Sequence, residues 1–225
     1  MKIGIIGAGA VGQTLAAALA AKGHDLRLGA RVVNDAELDK PRSQAQTLRQ
    51  WTGKTGVMVV NFAEAAEHGE TLILAVGGGV ALDALRLAGA AAIGDKILID
   101  VCNPLDFSTG SLTLIPSLSN TTSVGEEIQK AYPKAKVVKT LSTSYIGIGV
   151  NPALVAGGDL DMFIAGNDEA AKAAVATILK RDFGWRSVVD LGDIAGARGM
   201  EQMLTIWFRL YQRGGSGLFG FKVVR

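Results

Sequence analysis

Three glycines near the start of the chain have the spacing that binding of a dinucleotide pyrophosphate requires. They form Gly7-x-Gly9-x-x-Gly12, which follows an apolar, strand-like run and precedes a helix-forming stretch. In such a unit the first glycine makes the tight turn, and the second lets the backbone approach a pyrophosphate. The third lets the helix pack closely on the sheet, and the helix N-terminus offers free N–H groups to the phosphates. The motif therefore predicts a dinucleotide site.

The same stretch has two other interpretations. Residues 3–21 carry no charge and follow Lys2, which is also the pattern of a secretory signal or of a segment near membrane-spanning length. Four glycines, Gln13 and Thr14 inside the run argue against both. An apolar stripe at helical spacing also begins only after Gly9, and Gly23 is placed to end that helix. We expect a nucleotide-binding turn, without a cleaved leader or a membrane span.

Composition narrows the class of protein. A chain of 225 residues with 48% hydrophobic residues suits one core built on a parallel sheet that is buried on both faces. A net charge of +2 implies no nucleic-acid partner. The single cysteine, Cys102, allows no intrachain disulfide and fits a reducing compartment, so we expect a cytoplasmic protein. With only His24 and His68 beside it, we expect no metal site.

Strand-like and helix-like segments alternate, which predicts an α/β fold with a doubly wound, mainly parallel Rossmann sheet. After the opening strand, further strands are predicted at residues 25–29, 56–60, 71–76, 96–101, 136–139, 161–165 and 186–190. Capping patterns at Asn61 and Ser123 predict helix starts, and Gly184 is expected to end a helix over residues 168–183.

The last predicted helix, over residues 198–213, belongs to a small C-terminal helical part. We place a boundary near Gly157, which gives a dinucleotide-binding domain at 1–157 and a smaller part at 158–225 that walls a cleft for a second reactant. The helix carries an apolar stripe that favours packing in the core or against a second copy, with a ligand wall as the alternative. The stripe consists of Met200, Met203, Leu204, Trp207, Phe208 and Tyr211.

The end of the second strand indicates which dinucleotide binds. An NAD site usually has an acidic residue there, which accepts hydrogen bonds from the ribose 2′-OH. This chain has Ala30 and Arg31, and its first acid is Asp35. A guanidinium in that place suits the 2′-phosphate of NADP. The alternative is an ordinary surface arginine, and Asp35 is expected to oppose a phosphate.

Other strand ends are expected to complete the site, because ligands of such sheets lie outside the carboxyl ends of the strands. Val76 and Gly77 follow the fourth strand and are expected beside the ribose and pyrophosphate. Residues 102–105 and 141–143 follow the next two strands and are expected around the nicotinamide. Each segment could instead be only a turn, since glycine runs and Asn-Pro pairs commonly form turns.

The chain offers no convincing acid–base or nucleophilic residue. His24 and His68 do not follow strand ends, and Cys102 has no histidine partner in sequence, so all three are expected to be structural. Hydride transfer between two cofactors fits this absence, because the protein then supplies alignment and exclusion of water. We therefore name no catalytic residue.

Several segments together resemble the family of coenzyme F-420-dependent NADP oxidoreductases. They are KIGIIGAGAVGQTLA, GHDLRLGAR, LILAV, IDVCNPL, KVVKTLST and the closing ARGMEQMLTIWFRLYQRGGSGLFGFKVVR. The resemblance implies NADP on a Rossmann domain, coenzyme F-420 or a flavin as second redox partner, and a homodimer. It adds Ala8, Ala10 and Val11 to the pyrophosphate site, and Val80 beside Val76 and Gly77. It also implies Ala30 and Arg31 at the 2′-phosphate, and Asn103, Pro104, Leu105 and Ser142 around the nicotinamide.

The chain departs from the family pattern at two places. Ala30 and Asp35 stand where the family has a hydroxyl and a basic residue, which leaves Arg31 as the expected phosphate contact. Gly77 and Gly78 replace a common Pro-Trp, so the acceptor side is expected to be roomier. Two alternatives therefore stay open: an NADPH reductase of another acceptor (flavin, quinone, ferric or cupric ion), and a non-catalytic NADP-sensing module. Imine and β-hydroxyacid dehydrogenases begin similarly, but the terminal helix offers no convincing catalytic lysine.

Overall fold

The first strand of the chain lies inside a large twisted sheet rather than at its edge. The computed structural model describes residues 1–41, 46–108 and 112–224; Arg225, the last residue of the predicted C-terminal part, lies outside them. Within these ranges the strands are β1 (Lys2–Ile6), β2 (Asp25–Ala30), β3 (Met58–Asn61), β4 (Thr71–Leu74), β5 (Ile97–Asp100), β6 (Leu105–Asp106), β7 (Thr113–Leu114), β8 (Lys136–Thr140), β9 (Asp161–Gly166) and β10 (Ser187–Asp190).

Helices connect most of these strands. In the described ranges they are α1 (Ala10–Ala20), α2 (Asp35–Leu38), α3 (Leu48–Thr55), α4 (Phe62–His68), α5 (Ala81–Ala88), α6 (Ala90–Ile93), α7 (Val124–Ala131), α8 (Ile146–Val150), α9 (Glu169–Phe183), α10 (Gly196–Gln202) and α11 (Leu204–Gly214). None of them is both long enough and apolar enough to cross a lipid bilayer.

Eight strands form the main sheet in the order β10-β9-β8-β5-β4-β1-β2-β3. Six neighbouring strands of this order, β8-β5-β4-β1-β2-β3, are parallel. Strand β1 lies between β2 and β4. Strand β9 runs antiparallel to β8, and β10 runs parallel to β9. The predicted mainly parallel, doubly wound sheet is confirmed. The chain reverses its winding direction between β1 and β4, and this is the crevice where such folds bind ligands.

Successive side chains of β1 point to opposite faces of the sheet, and helices cover both faces. Ile5 packs on one face with α1, α3 and α9, and Ile6 packs on the other with α4, α5, α7 and α10. Both isoleucines are fully buried. Two covered faces explain why the strand sequences are continuously apolar rather than alternating with polar residues.

Local signals define the ends of several helices. Asn61 caps α4 through a capping box with Glu64, as its pattern predicts. The Ser123 hydroxyl accepts a hydrogen bond from the N–H of Glu126 at the start of α7. Gly184 ends α9 in a left-handed conformation. These side chains fix where the helices begin and end relative to the sheet.

The C-terminal part differs in two respects from its prediction. The expected single helix over 198–213 is two helices, α10 and α11, which meet at Met203 although that residue keeps helical backbone angles. Strands β9 and β10 extend the same sheet as the dinucleotide-binding strands. The boundary near Gly157 stays a prediction.

Candidate dinucleotide site

The three motif glycines occupy three different environments between β1 and α1. Gly7 has a φ of +126°, and a side chain there would overlap the Ala75 carbonyl oxygen. A side chain on Gly12 would overlap the Gly7 carbonyl oxygen, so α1 approaches the turn only because this residue is glycine. Around Gly9 there is open space within 4 Å of where a side chain would start. This open space beside the backbone fits a pyrophosphate.

A cleft of about 480 Å³ opens at this turn. The predicted site residues that line it are Gly7, Ala8, Gly9, Ala30, Arg31, Val76, Gly77 and Val80. They come from the carboxyl ends of β1, β2 and β4, which lie side by side in the sheet. The cleft therefore lies at the edge of the sheet where a dinucleotide is expected.

The remaining pyrophosphate candidates lie just behind the cleft. Ala10, Val11 and Gly12 form the first turn of α1, and Gly9 precedes it without a side-chain cap. The side-chain amide of Gln13 donates to the Ala8 carbonyl at 2.9 Å and so holds the turn. The first N–H groups of a helix have no partner inside the helix, so this end can bind an anion.

Among the described residues, four charged side chains line the cleft, the cations Arg31 and Lys40 and the acids Glu37 and Asp83. Arg31 lies there as predicted, and Lys40, which the sequence interpretation missed, lines the same cleft together with Glu37 of α2. The Lys40 ammonium is 3.6 Å from the Glu37 carboxylate, and both side chains are exposed at the surface. Lys40 could have been noticed only by knowing how the segment after β2 folds back, which no spacing rule gives.

Asp35, which we expected to oppose a phosphate, pairs with a cation of α3. Its carboxylate accepts a hydrogen bond from Arg49 at 2.7 Å and is not part of the cleft lining. The same guanidinium contacts Asp39 at 2.6 Å, and this hydrogen bond lowers the pKa of the Asp39 carboxyl. Arg49 of α3 thus pairs with two acids outside the cleft lining, and Arg31 and Lys40 are the cations within it.

The four nicotinamide-side candidates lie at the neighbouring strand ends rather than in the cleft lining. Asn103 and Pro104 follow β5, Leu105 begins β6, and Ser142 follows β8. The Asn103 side-chain amide donates to the Ser142 carbonyl at 3.0 Å. The Asn103 carbonyl accepts from the N–H of Gly78 at 2.9 Å, which connects this group to the turn that follows β4. The hydrogen bond between Gly78 and Asn103 thus links the nicotinamide-side candidates to the turn after β4, part of which lines the cleft.

Several polar atoms on the nicotinamide side are buried without a partner in the described part of the chain. They are Asn103 Oδ1, Ser142 Oγ and Ser144 Oγ. Leu141, immediately before them, has a φ of +58°, which is unusual for a residue with a branched side chain. Buried polar atoms normally have hydrogen-bond partners, and strained backbone clusters at ligand sites. Both observations fit a polar ring substituent such as a carboxamide.

The turn after β4 is tight at one glycine and open at the other. A side chain on Gly78 would begin only 2.6 Å from the Asn103 carbonyl oxygen, whereas Gly77 has nothing within 4 Å of that position. The space beside Gly77 is open, and the roomier acceptor side stays a prediction. At Gly78 the main chain itself fills the space, and a large side chain there would require a different backbone.

The titratable residues singled out in the sequence lie away from the cleft lining. His24 contacts Asp182 of α9 at 3.1 Å, and His68 contacts the Asp25 carboxylate at 3.3 Å. Cys102 is buried, and burial raises the pKa of its thiol, which keeps it protonated. The structural role expected for these three side chains agrees with these positions.

The apolar stripe of the last helices is divided between core and surface. Met200, Leu204 and Trp207 are buried, whereas Tyr211 is 43% exposed. Trp207 stacks on Tyr211 with ring centroids 5.4 Å apart. Phe208 lines a second hollow of about 350 Å³ between β7 and α11. The stripe therefore packs in the core at one end and borders an open hollow at the other.

Both the sequence and the structure of this chain match known proteins. Residues 2–104 match the model of the family described as NADP oxidoreductase, coenzyme F420-dependent. A crystal structure of a proposed F420-dependent NADP reductase from Arthrobacter sp. FB24 is 45% identical over 100% of both chains, with a TM-score of 0.93. Comparison with curated protein sequences gives no match.

More distant structures share only the fold. The hypothetical protein SMa0349 from Sinorhizobium meliloti is 23% identical, with a TM-score of 0.60 over 100% of this chain and 93% of that one. An imine reductase from Myxococcus stipitatus in complex with NADP⁺ is 12% identical, with a TM-score of 0.64 over 95% of this chain and 63% of that one. The identity to the Arthrobacter protein and the family match show that the chain belongs to the family of coenzyme F420-dependent NADP oxidoreductases.

Proposed function

We propose that this protein binds NADP(H) and transfers a hydride between its nicotinamide and a deazaflavin of the coenzyme F-420 type. The observation that carries the proposal is the cleft at the Gly7–Gly12 turn, with Arg31 and Lys40 in its lining. A phosphate on the adenosine ribose distinguishes NADP from NAD, and two cations suit that phosphate. Membership of the family supports the deazaflavin as partner.

In this reaction the protein binds and orients the two cofactors and excludes water from the space between them. The open backbone at Gly9 and the first turn of α1 receive the pyrophosphate, while Val76, Gly77 and Val80 border the middle of the cofactor. Asn103 and Ser142 offer their buried, unpartnered oxygens to the nicotinamide. The two cofactors themselves supply the redox chemistry, so no side chain has to act as acid or base.

The C-terminal helix α11 borders a second hollow, which we assign to the redox acceptor. We propose that the part beyond residue 157 walls the acceptor cleft, in the hollow that Phe208 and Arg209 line beside β7.

We also propose a cytoplasmic homodimer, because the family resemblance implies a dimer and the lone cysteine is buried and free. The exposed Ile206 and Leu210 of α11 offer an apolar face for such contact.

A second candidate, an NADPH reductase of another acceptor, is favoured by the open position at Gly77. An open position accepts a flavin or a metal chelate as readily as a deazaflavin. The turnover experiment below separates the two candidates.

Turnover can be measured directly with the purified protein. We expect NADPH to be consumed with oxidised coenzyme F-420, followed as loss of the reduced nicotinamide absorbance, and NADP⁺ to be reduced by reduced F-420. Parallel reactions contain FMN, a quinone, or ferric and cupric chelates. Faster turnover with one of these would replace the deazaflavin assignment. Tight NADPH binding without turnover in any mixture would favour the NADP-sensing module.

Lys40→Ala tests the second cation of the cleft. We expect the Kd for NADPH to rise by about fivefold, because an exposed ammonium contributes on the order of 1 kcal/mol to a phosphate contact. The Kd for NADH should stay the same. Lys54→Ala, which removes an exposed lysine of α3 outside the cleft lining, serves as the matched control. Equal effects of the two substitutions would remove Lys40 from the site.

A further inference from the structure

Three charged side chains lie together, fully enclosed, beside the nicotinamide-side segment. The Lys139 ammonium of β8 is 3.0 Å from the Asp100 carboxylate of β5 and 2.8 Å from the Glu201 carboxylate of α10. Lys139 and Asp100 are 0% exposed, and Glu201 is 2% exposed. We call Asp100, Lys139 and Glu201 the buried triad. None of them enters the proposed reaction.

The buried triad holds both backbone groups of one residue. Asp100 accepts a hydrogen bond from the Cys102 N–H at 2.9 Å, and Lys139 donates to the Cys102 carbonyl. The next residue is Asn103, which holds Ser142 and the Gly78 turn through its own hydrogen bonds. The direction in which the chain leaves β5 is therefore fixed by charged groups on both sides of one residue.

Glu201 connects this segment to the C-terminal helices. Its carboxylate accepts from the N–H of Val124 at 2.9 Å and of Gly125 at 3.3 Å, at the start of α7. Burial raises the pKa of Glu201, whereas Asp100 and Glu201 together outweigh burial and raise the pKa of Lys139. The positive end of α7 offsets the surplus negative charge of two carboxylates around one ammonium.

Stability alone does not account for such an arrangement. Buried ion pairs often contribute no more to stability than well-packed apolar side chains of similar size, because all the charges lose their hydration. What they impose is a single geometry, since each charge needs its partners at hydrogen-bond distance. The buried triad imposes that geometry where β5, β8, α7 and α10 meet, next to Asn103.

We propose that Lys139 is a positioning residue for hydride transfer, because it ties the 102–105 segment to α10 and so sets the nicotinamide side against the acceptor wall. The inference rests on the proposed function. Lys139 does not touch a cofactor; it acts through Cys102 and Asn103. The pyrophosphate and 2′-phosphate contacts lie at the other end of the cleft and do not depend on it.

Lys139→Met tests this role, with Lys172→Met as a matched control. Lys172 is also buried, and its ammonium lies 2.8 Å from both Asp190 and Glu169. In the unliganded protein, we expect amide hydrogen exchange within residues 101–105, at every position except Pro104, to accelerate by about tenfold in Lys139→Met only. With NADPH and acceptor, we expect kcat to fall by about 30-fold in Lys139→Met. The Kd for NADPH should stay within about threefold of the unsubstituted protein.

The outcomes separate this inference from the proposed function. Unchanged exchange at 101–105, or a fall in kcat that is equal in Lys172→Met, would overturn the positioning role. If the unsubstituted protein fails to bind NADPH, the proposed function is wrong, and the exchange data still decide whether Lys139 fixes the segment. Glu201→Gln keeps the size of the side chain and serves if Lys139→Met does not fold; the same two changes are expected in smaller degree, and their absence would also overturn the inference.

Discussion

Replacing Gly9 by valine is expected to weaken NADPH binding by about 100-fold, or about 2.7 kcal/mol, without lowering thermal stability. Gly9 has φ −78° and ψ −176°, which valine adopts without strain. Its Cβ would lie in the open space beside the turn, where no other protein atom is within 4 Å. The new methyl groups would stand where the pyrophosphate has to approach the backbone. Titration of NADPH fluorescence and a thermal melt of each protein give the two quantities.

Gly12→Ala provides the opposite outcome for comparison. Its new methyl group would overlap the Gly7 carbonyl, so we expect this variant to lose about 1–3 kcal/mol of folding free energy or more. Gly53→Val, at an exposed and equally open position in α3, controls for valine itself. If Gly9→Val bound NADPH normally while folded, the glycine turn would not be the pyrophosphate site.

Replacing Arg31 by alanine is expected to raise the Kd for NADPH by about 30-fold or more and that for NADH by less than about threefold. Hydrogen bonds to charged groups contribute about 1.5–3 kcal/mol each, and the guanidinium fork matches a phosphate. NADH lacks that phosphate, so the Kd for NADH should change little. Because Lys40 remains in the cleft, some preference for NADPH should survive.

The measurement is a pair of equilibrium titrations on the same preparation, repeated at higher salt. Raised salt should shrink the difference between NADPH and NADH in the unsubstituted protein, since exposed charge interactions are screened. Arg186→Ala, an exposed arginine just before β10, is the matched control. Equal weakening of both nucleotides would assign Arg31 to folding or to the shared part of the cofactor.

Much of the fold follows from signals that are local in the sequence. The fourth strand was predicted over 71–76 and is found at Thr71–Leu74, because a run of buried β-type residues ends at glycines. The capping boxes and Gly184 define helix ends through contacts within a few residues. The glycine motif is also recognised from adjacent residues, although Gly7 additionally lies against the Ala75 carbonyl of a distant segment.

Features that depend on distant partners could not be predicted. The antiparallel direction of β9 depends on its pairing with β8 and not on its own residues. The ion pair between Asp35 and Arg49 forms only because the chain turns back after β2. Lys40 reaches the cleft for the same reason. The buried triad joins residues from three separate elements, which no motif spacing could indicate.

The late position of Glu201 in the chain has a consequence for biosynthesis. While the polypeptide emerges from the ribosome, Asp100 and Lys139 are made long before the helix that supplies the second carboxylate. Until α10 is made, the ammonium lacks one of its two counter-charges and α7 lacks the acceptor for its first N–H groups. The network of charges beside Asn103 is therefore complete only after α10 has been made.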